Sequence, residues 1–371
     1  MNFEFSDDQR LLKEQANRFL TDKCPTSEVR AILDSDTPFH QSLWNDVVHM
    51  GWTSTAIPEE YGGLGLGYLE LCVIAEELGR ALAPIPFSSS VYVATEALLQ
   101  GGSQTQKEQY LPQLAAGELI GTFAVAEGPG TPAADGLEVR ADAEHRLSGA
   151  KWPVIDGDIA DFAVVSALGK AGPSLYLVDL KDPSVERTPL KALDTTRSQA
   201  RLTFASTPAQ PLGEAGTGAT LLERVFDRAA VLYGFEQIGG AEQALEVAKE
   251  YALGRYAFGR SIASFQALKH KMADMFVATE LARSNGYYGA WALSTDAPEL
   301  SVAAATARVS ATQAFHECAK ECIQIHGGMG FTWEFDCHLF YRRAKLLALV
   351  LGSQSRWEDT LIRRIAASRA A

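Results

Sequence analysis

Cysteines are scarce in this chain and follow no regular spacing. Its 371 residues include only five of them, at positions 24, 72, 318, 322 and 337. A small secreted protein held by disulfides would carry an even set of closely spaced cysteines. The scattered, odd set excludes that class, and we expect reduced thiols in a cytoplasmic protein.

A surplus of positive charge is also missing. The chain has 33 Lys and Arg against 46 Asp and Glu, a formal net charge of -13, with both signs interspersed. Binding to nucleic acid depends on a basic surface that neutralises phosphates. Nucleic acid is therefore not expected as the main partner.

Long hydrophobic runs are absent as well. No uninterrupted run reaches the ~18 apolar residues of a membrane-spanning helix, and MNFEFSDDQR at the start has no basic region followed by an apolar segment. We expect neither a membrane span nor export.

The composition that remains is that of a globular enzyme with more than one domain. Hydrophobic residues make up 47% and charged residues 21%, and the length exceeds what one hydrophobic core usually serves. A search for several structural units along the chain is therefore justified.

The periodicity of the chain changes twice. Residues 6 to about 118 are typical of helices, starting with Ser6 and Gln9, which are spaced as in a capping box. From residue 121, short runs of β-branched and aromatic residues alternate with turn residues, and after about 220 the helical period returns. We predict an α+β multidomain fold, with an N-terminal helical domain (1–118), a small middle β domain (119–220) and a C-terminal bundle of long helices (221–371).

Two glycine clusters need separate interpretations. The glycines at 62, 63, 65 and 67 follow no β-branched strand, so they indicate a packed turn between helices rather than a nucleotide-binding loop. The second cluster, Gly327, Gly328 and Gly330, allows either a helix C-cap with a sharp turn or the close approach of a ligand or neighbouring chain to the backbone.

Two groups of polar residues could suggest further sites. His316, Cys318 and Cys322 lie on a helical segment without a fourth ligand pattern, so we expect thiols that face the core and no metal. Arg342, Arg343 and Lys345 are interpreted as a solvated helix face or as a contact to phosphate or an acidic partner.

Five segments in a fixed order carry a family resemblance. They are PEEYGG (58–63), FAVAEGPG (123–130), KWPVIDG (151–157), RYAFGRSIASFQALKHKMADM (255–275) and QIHGGMGFTWEFD (324–336). Together they resemble the acyl-CoA dehydrogenase flavoproteins over nearly the whole chain. The resemblance implies the three-domain fold of that family, FAD as cofactor, and α,β-desaturation of a coenzyme A thioester.

The resemblance also implies a set of residues for the dinucleotide part of FAD. An arginine fork suits the pyrophosphate, an aromatic three residues later can share its helical face, glutamine amides suit the adenosine, and glycines let the backbone approach. In the family these residues reach the flavin of a neighbouring subunit. Here they are Arg255, Phe258, Gln266, Gln324, Gly327 and Gly328.

The positions for the flavin ring depart from the family pattern. Where the family has Thr-Glu-Pro followed by a small Gly-Ser-Asp loop, this chain has Ala126, Glu127, Gly128, Pro129, Gly130 and then Thr-Pro-Ala. Trp152 matches the family tryptophan, but Pro153 and Val154 replace the start of its Ile-Thr-Asn. A lost hydroxyl and a lost backbone N–H weaken the ring pocket. The remaining positions assigned to the cofactor are Ser353 and Ser355.

The largest departure concerns the catalytic base. The family removes the α-proton with a glutamate, whose usual position holds Leu351 here and whose alternative position holds Ala229. Glu236 shares an apolar stripe with Ala229 but lies two turns, about 10 Å, further along the helix. It is either a displaced base with a raised pKa or a structural glutamate satisfied by a nearby Arg, Lys or backbone amide.

TWEFD (332–336), the missing base and the altered ring pocket together resemble the base-lacking subunit of heteromeric acyl-CoA dehydrogenases that act on bulky, steroid-type side chains. This implies a glutamate-bearing paralogous subunit in a heterotetramer and an acceptor such as an electron-transfer flavoprotein. Two alternatives stay open: a homomeric dehydrogenase using a displaced base such as Glu236, and a non-catalytic scaffold without flavin.

Overall fold

The structure is a computed structural model that describes residues 6–128 and 136–370. Pro129, Gly130 and the following Thr-Pro-Ala, part of the altered ring loop, lie outside the described residues. No helix in the described ranges is long and apolar enough to cross a bilayer.

The first part of the chain is helical, as predicted. The predicted capping box is present, since the Ser6 hydroxyl accepts from the Gln9 N–H (3.2 Å) while the Gln9 side chain accepts from the Ser6 N–H (2.9 Å). A π-helix precedes the last two helices. The elements are α1 (Asp7–Lys23), α2 (Thr26–Leu33), α3 (Gln41–His49), α4 (Tyr68–Arg80), the π-helix (Ser88–Thr95), α5 (Glu96–Gly101) and α6 (Gln104–Ala115).

The glycines before α4 form the predicted turn between helical elements. Gly62, Gly65 and Gly67 have positive φ, and a Cβ on Gly63 would lie 1.9 Å from the carbonyl oxygen of Ile57. Only glycine fits such a conformation or contact without strain. This segment is therefore a packed connection, not a phosphate loop.

The middle of the chain forms one eight-stranded sheet. Its order is β6-β7-β3-β2-β4-β5-β8, and β1 pairs in parallel with β4. Runs of β-branched and aromatic residues occur in or beside β1, β2, β4, β5 and β7, whereas turn-forming or charged residues interrupt β3, β6 and β8. The strands are β1 (Gly121–Ala124), β2 (Arg140–Ala141), β3 (Arg146–Ile155), β4 (Phe162–Gly169), β5 (Gly172–Asp179), β6 (Val185–Pro189), β7 (Gln199–Pro208) and β8 (Gln210–Leu212).

The last part is a bundle built around one long helix, as predicted. Helix α7 begins at Gly218, not at Leu221, and a Cβ at Gly218 would lie 2.5 Å from the backbone of Ser174 in β5. Glycine thus lets the helix start directly against the sheet. The elements are α7 (Gly218–Gly254), β9 (Tyr256–Ala257), β10 (Arg260–Ser261), α8 (Gln266–Ser294), α9 (Leu300–His326), α10 (Cys337–Leu347) and α11 (Gln354–Ala370).

Three hydrophobic cores hold these parts together. The largest joins N-terminal helices to the C-terminal bundle, one fills the inner face of the sheet, and a third lies between α5, α6, β4, β5 and α7. The helices and sheet therefore follow the predicted order, while the domain limits at 118 and 220 stay predictions.

Candidate active site

A cavity of about 810 Å³ lies where the N-terminal helices, the sheet and the C-terminal bundle meet. Val93 of the π-helix, Phe226 of α7 and Leu351 after α10 contribute apolar wall. Concave, mostly apolar cavities of this size at the junction of structural units are typical of ligand sites. The sequence did not predict this juxtaposition, because the three walls are far apart in the chain.

The usual position of the base is part of this cavity. Leu351 lines it and is 2% exposed, whereas Ala229, the alternative position, is fully buried in α7 and is not part of the wall. Neither hydrocarbon side chain can accept a proton.

One carboxylate occurs among the described residues that line the cavity. Asp194 accepts hydrogen bonds from Arg343 Nε (2.8 Å) and from the hydroxyl (2.5 Å) and N–H (3.1 Å) of Thr196. These three hydrogen bonds, one of them from a guanidinium, tie both carboxylate oxygens to the protein. Asp194 is therefore unsuited to take a proton from a substrate.

Glu236 has features of a displaced base and features of a structural glutamate. It is 4% exposed, its Oε1 lies 3.7 Å from Arg343 Nη1, and burial raises its pKa against the opposing effect of Arg197 and Arg343. The raised pKa fits a base, and the arginine partner fits a structural role. Glu236 is not part of the described cavity wall.

The interpretation of Arg342, Arg343 and Lys345 as a solvated helix face is wrong for Arg343. Arg343 is 1% exposed and binds the carbonyl oxygen of Leu82 (3.1 Å) as well as Asp194. Lys345 lines the cavity, and Arg342 donates to the carbonyl oxygen of Leu193 (2.6 Å). The sequence could not show this, because the acceptors of Arg343 lie about 150 to 260 positions away.

The positions assigned to the flavin ring lie in different environments. Ala126 and Ser353 line the cavity. The backbone N–H of Trp152 donates to the carbonyl oxygen of Ala126 (2.8 Å). Ser355 lies outside the cavity, with its hydroxyl 3.1 Å from that of Ser353.

Val154 is the exception among the ring positions. Its side chain is fully buried in the core of the sheet, and its neighbours Pro153 and Ile155 line the cavity instead. The register of β3 against β7 shifts between Lys151 and Val154, and this irregularity decides which side chains face outward. A side-chain contact from Val154 to a ring in the cavity is therefore not possible.

A buried lysine fixes the strand edge beside Ala126. Lys151 is fully buried and donates to Glu127 (2.6 Å), to the Ser166 hydroxyl (2.9 Å) and to the Val125 carbonyl (3.2 Å). Burial lowers its pKa to about 8. Sequence reasoning missed this group, although a lysine within a strand pattern is a usable signal.

The residues assigned to the dinucleotide lie together at one end of the long helices. Arg255 follows the C-terminus of α7, Gln266 begins α8, and Gln324 and Gly327 mark the C-terminus of α9. Tyr251 stacks on His326 at 4.1 Å and so ties the ends of α7 and α9 together. The tertiary structure therefore brings these predicted positions to one surface.

The proposed helical relation between Arg255 and Phe258 is wrong. Helix α7 ends at Gly254, and residues 256–261 form a hairpin of β9 and β10. Phe258 and Gly259 at its tip have φ of 53° and 77°, as a tight two-residue turn requires. The hairpin leaves Phe258 96% exposed.

These positions suit a bound dinucleotide. Arg255, Gln266, Gln324, Gly327 and Gly328 are exposed, and nothing in the described structure lies within 4 Å of a Cβ built on either glycine. Open backbone beside an arginine and two amides can accept a phosphate and a purine. The residues present therefore fit the phosphate and adenosine parts of FAD.

Comparison with protein families gives two matches. The N-terminal domain of acyl-CoA dehydrogenases matches residues 6–118, and the C-terminal domain of acyl-CoA dehydrogenases matches residues 216–366.

Individual proteins are similar over almost their full lengths. The acyl-CoA dehydrogenase IpdE2 of Mycobacterium tuberculosis is 34% identical over 351 residues, 94% of each chain. Among solved structures, a variant of the steroid ACAD Tcur3481-Tcur3483 matches with a TM-score of 0.90 and 29% identity, covering 98% of this chain and 99% of that one. The ChsE4-ChsE5 complex of M. tuberculosis matches with a TM-score of 0.89 and 26% identity, covering 100% and 99%.

Proposed function

Because the chain belongs to the acyl-CoA dehydrogenase family, oxidoreductases that act on CH–CH bonds, we propose that it is a subunit of an FAD-dependent enzyme whose catalytic glutamate comes from a partner subunit. One observation carries this proposal. The cavity has Leu351 at the position of the base, and its described wall offers no carboxylate free to take a proton.

FAD, when bound, supplies the acceptor for the hydride that leaves the β-carbon of the acyl thioester. Arg255, Gln266, Gln324 and the backbone at Gly327 and Gly328 would hold its dinucleotide part. Ala126, Trp152 and Ser353 are the candidates for contacts to the flavin ring. Val154 could contact the ring only through its backbone, because its side chain is buried in the core of the sheet. The intact dinucleotide positions and the altered ring positions support a division of labour between two subunits.

In this proposal, the cavity residues of this chain bind and orient the acyl group. The apolar wall of the cavity excludes water from the acyl group, and exclusion of water strengthens electrostatic interactions at a reacting centre. Without a base, the chain binds and orients acyl groups but does not remove a proton. Loss of a positioned general base typically costs about 10²- to 10⁴-fold in rate.

The substrate class is proposed from the comparisons and the size of the cavity. A solved relative is described as a steroid ACAD, and the cavity, about 810 Å³ for the acyl group and the flavin ring together, has the largely apolar wall that a bulky acyl group requires. We assign a bulky or steroid-derived acyl-CoA. Another similar structure is a complex of two named chains, ChsE4 and ChsE5, which supports a heteromer. An electron-transfer flavoprotein remains the proposed electron acceptor.

The deciding experiment compares the chain purified alone with the chain co-purified with a glutamate-bearing paralogue. Bound flavin and turnover are measured with short, long and polycyclic acyl-CoAs. We expect no appreciable turnover from the chain alone and turnover of polycyclic substrates by the complex. Leu351→Glu in the isolated chain should restore little activity, because the ring positions are also altered.

Other outcomes would favour the alternatives. Turnover by the unmodified homomer that Glu236→Gln abolishes, with flavin still bound, would make Glu236 the base. A partner that is fully active and fully flavin-loaded without this chain would make this chain a scaffold.

A further inference from the structure

Two buried hydroxyl groups lie in the wall of the cavity, much of which is apolar. Leu193 and Leu349 lie at the outer end, where they are 54% and 65% exposed. Ser89 and Tyr233 also line the cavity and, at 2% exposure each, belong to its buried part, as does Leu351; the region around these two hydroxyl groups is called the deep end. Two hydroxyl groups in the buried part of the wall give a ligand polar partners that an unsubstituted hydrocarbon could not use.

Tyr233 provides a hydrogen-bond donor at this end. Its ring is fixed by an edge-to-face contact with Tyr92, whose centroid lies 5.2 Å away at 90°. Burial raises the pKa of the Tyr233 phenol to about 12, although Arg197 opposes the rise. The phenol therefore stays protonated at neutral pH and can donate to a ligand oxygen.

Ser89 provides an acceptor. Its hydroxyl donates to Asp156 Oδ2 (2.5 Å) and also lies 3.0 Å from the Pro86 carbonyl, so its single hydrogen is already used. The hydroxyl oxygen can still accept a hydrogen bond. The deep end thus combines a donor from α7 with an acceptor from the π-helix, and a hydroxyl group on the ligand could use both.

The charges behind this end are balanced. Arg197 pairs with Asp156 (2.8 Å) and Arg343 with Asp194 (2.8 Å). Glu236 lies beside Arg343, and Arg308 is also close enough to act on its pKa. Arg197 and Arg343 are therefore paired with carboxylates, and Arg308 donates instead to Gln237 and to the carbonyl oxygen of Leu347. Lys345, the lysine of the described wall, is half-buried rather than at the deep end. A neutral polar group is the better match for this end.

The element that carries Ser89 is itself unusual. Residues 88–95 form a π-helix, a rare conformation that is found frequently at functional sites. Ser89 and Val93, four positions apart, both line the cavity. The π-helix therefore presents one polar and one apolar side chain to the same ligand.

From these observations we infer that the deep end of the cavity binds a neutral oxygen substituent of the acyl group, a hydroxyl or a ketone. The inference rests on the proposed function, since it assigns the substrate class of that same cavity. Tyr233 donates to this oxygen, and Ser89 accepts from it when it is a hydroxyl.

The test measures binding rather than turnover. Three non-reactive CoA thioethers with the same polycyclic acyl skeleton carry a hydroxyl, a carboxylate or only hydrogen at one ring position. Calorimetry with the complete complex should give about tenfold tighter binding for the hydroxyl than for the unsubstituted analogue, the effect of one net hydrogen bond. The carboxylate should bind more weakly than the hydroxyl.

Variants assign the preference to the two residues. Tyr233→Phe should bring the hydroxyl and unsubstituted analogues to nearly equal affinity, without weakening the unsubstituted one. Tyr92→Phe is the matched control, because Tyr92 is a buried tyrosine outside the described cavity wall, and it should keep the preference. If Tyr233→Phe does not fold, Ser89→Ala should reduce the preference instead.

The possible failures are distinguishable. Equal affinity of the wild-type complex for the hydroxyl and unsubstituted analogues, or tightest binding of the carboxylate, overturns the inference and leaves the proposed function standing. No binding of any analogue overturns the proposed function and the inference with it.

Discussion

Single side chains decide what the cavity can do. Leu351 presents only hydrocarbon to the cavity, and the Asp194 carboxylate is bound by Arg343 and Thr196. Arg255 has the opposite setting, because it is exposed and belongs to no described ion pair. The charges of Asp194 and Arg343 are therefore paired inside the fold, while Arg255 is available to a ligand.

Replacing Arg255 by alanine should weaken FAD retention without unfolding the protein. A hydrogen bond to a charged group contributes about 1.5–3 kcal/mol, so flavin affinity should fall roughly 10- to 100-fold. Flavin absorbance after dialysis and the thermal midpoint of the flavin-free protein are the measurements. Lys249→Ala, an exposed cation near the same end of α7, is the control. A large fall in the apo midpoint at constant flavin content would show that Arg255 is structural.

Asp227 should make stability depend on pH. Burial raises its pKa from 3.8 to about 6, although Arg364 opposes the rise. Between these values the native state keeps a proton that the unfolded state has lost, so stability falls as pH rises from about 4 to about 6. The loss attributable to this group is at most ~3 kcal/mol.

Asp227→Asn should therefore flatten the pH dependence of urea unfolding in that window. The exposed Asp359, replaced by Asn in the same way, should leave the wild-type slope unchanged. A wild-type slope that persists in Asp227→Asn would mean that other groups cause it.

At the scale of elements, α4 and α7 cross in close contact through two glycines. A Cβ on Gly79 would lie 1.8 Å from the carbonyl oxygen of Glu236, and a Cβ on Gly239 would lie 1.8 Å from that of Glu76. Real side chains do not tolerate such contacts with backbone, so the helices would have to separate. The crossing therefore helps to place α7 against the N-terminal helices.

Gly79→Ala and Gly239→Ala should each destabilise the fold by ~1–3 kcal/mol or more, despite the better helix propensity of alanine. Gly254→Ala, in the same helix α7 but with open space around its Cβ, should be neutral or stabilising by at most ~1 kcal/mol. Urea unfolding midpoints are the measurement. Equal midpoints for the three variants would contradict the close crossing.

At the scale of the whole molecule, large aromatic side chains project from the surface where α7 and α9 end and α8 begins. Phe258 is 96% and Phe331 86% exposed. Exposed aromatic groups are enriched at protein interfaces. They agree with a site completed by a neighbouring subunit.

Sedimentation at micromolar concentration should therefore show a dimer or tetramer. The double variant Phe258→Ser with Phe331→Ser should shift the population towards monomer, because apolar contact area is lost. Met50→Ser, at an exposed methionine beyond α3, should not. A monomeric wild-type protein with full flavin content would contradict a shared site.

The order of helices and strands was determined by the sequence itself. The capping box at Ser6, the turn after Pro58 and the change of period into and out of the sheet depend on residues that are near neighbours in the chain. So do the core-facing Cys318 and Cys322, which are fully buried on α9. Local preference and periodicity act over one or two turns, and they can be read from one sequence.

Only the tertiary structure decided which side chains meet in the cavity. Arg343 is buried because its partners come from Leu82 and Asp194, Val154 faces the core because β3 shifts its register against β7, and Phe258 lies on a hairpin tip. The deep end joins Ser89 to Tyr233 across 144 positions of the chain. Such contacts are set by the packing of distant elements, and no local pattern in the sequence specifies them.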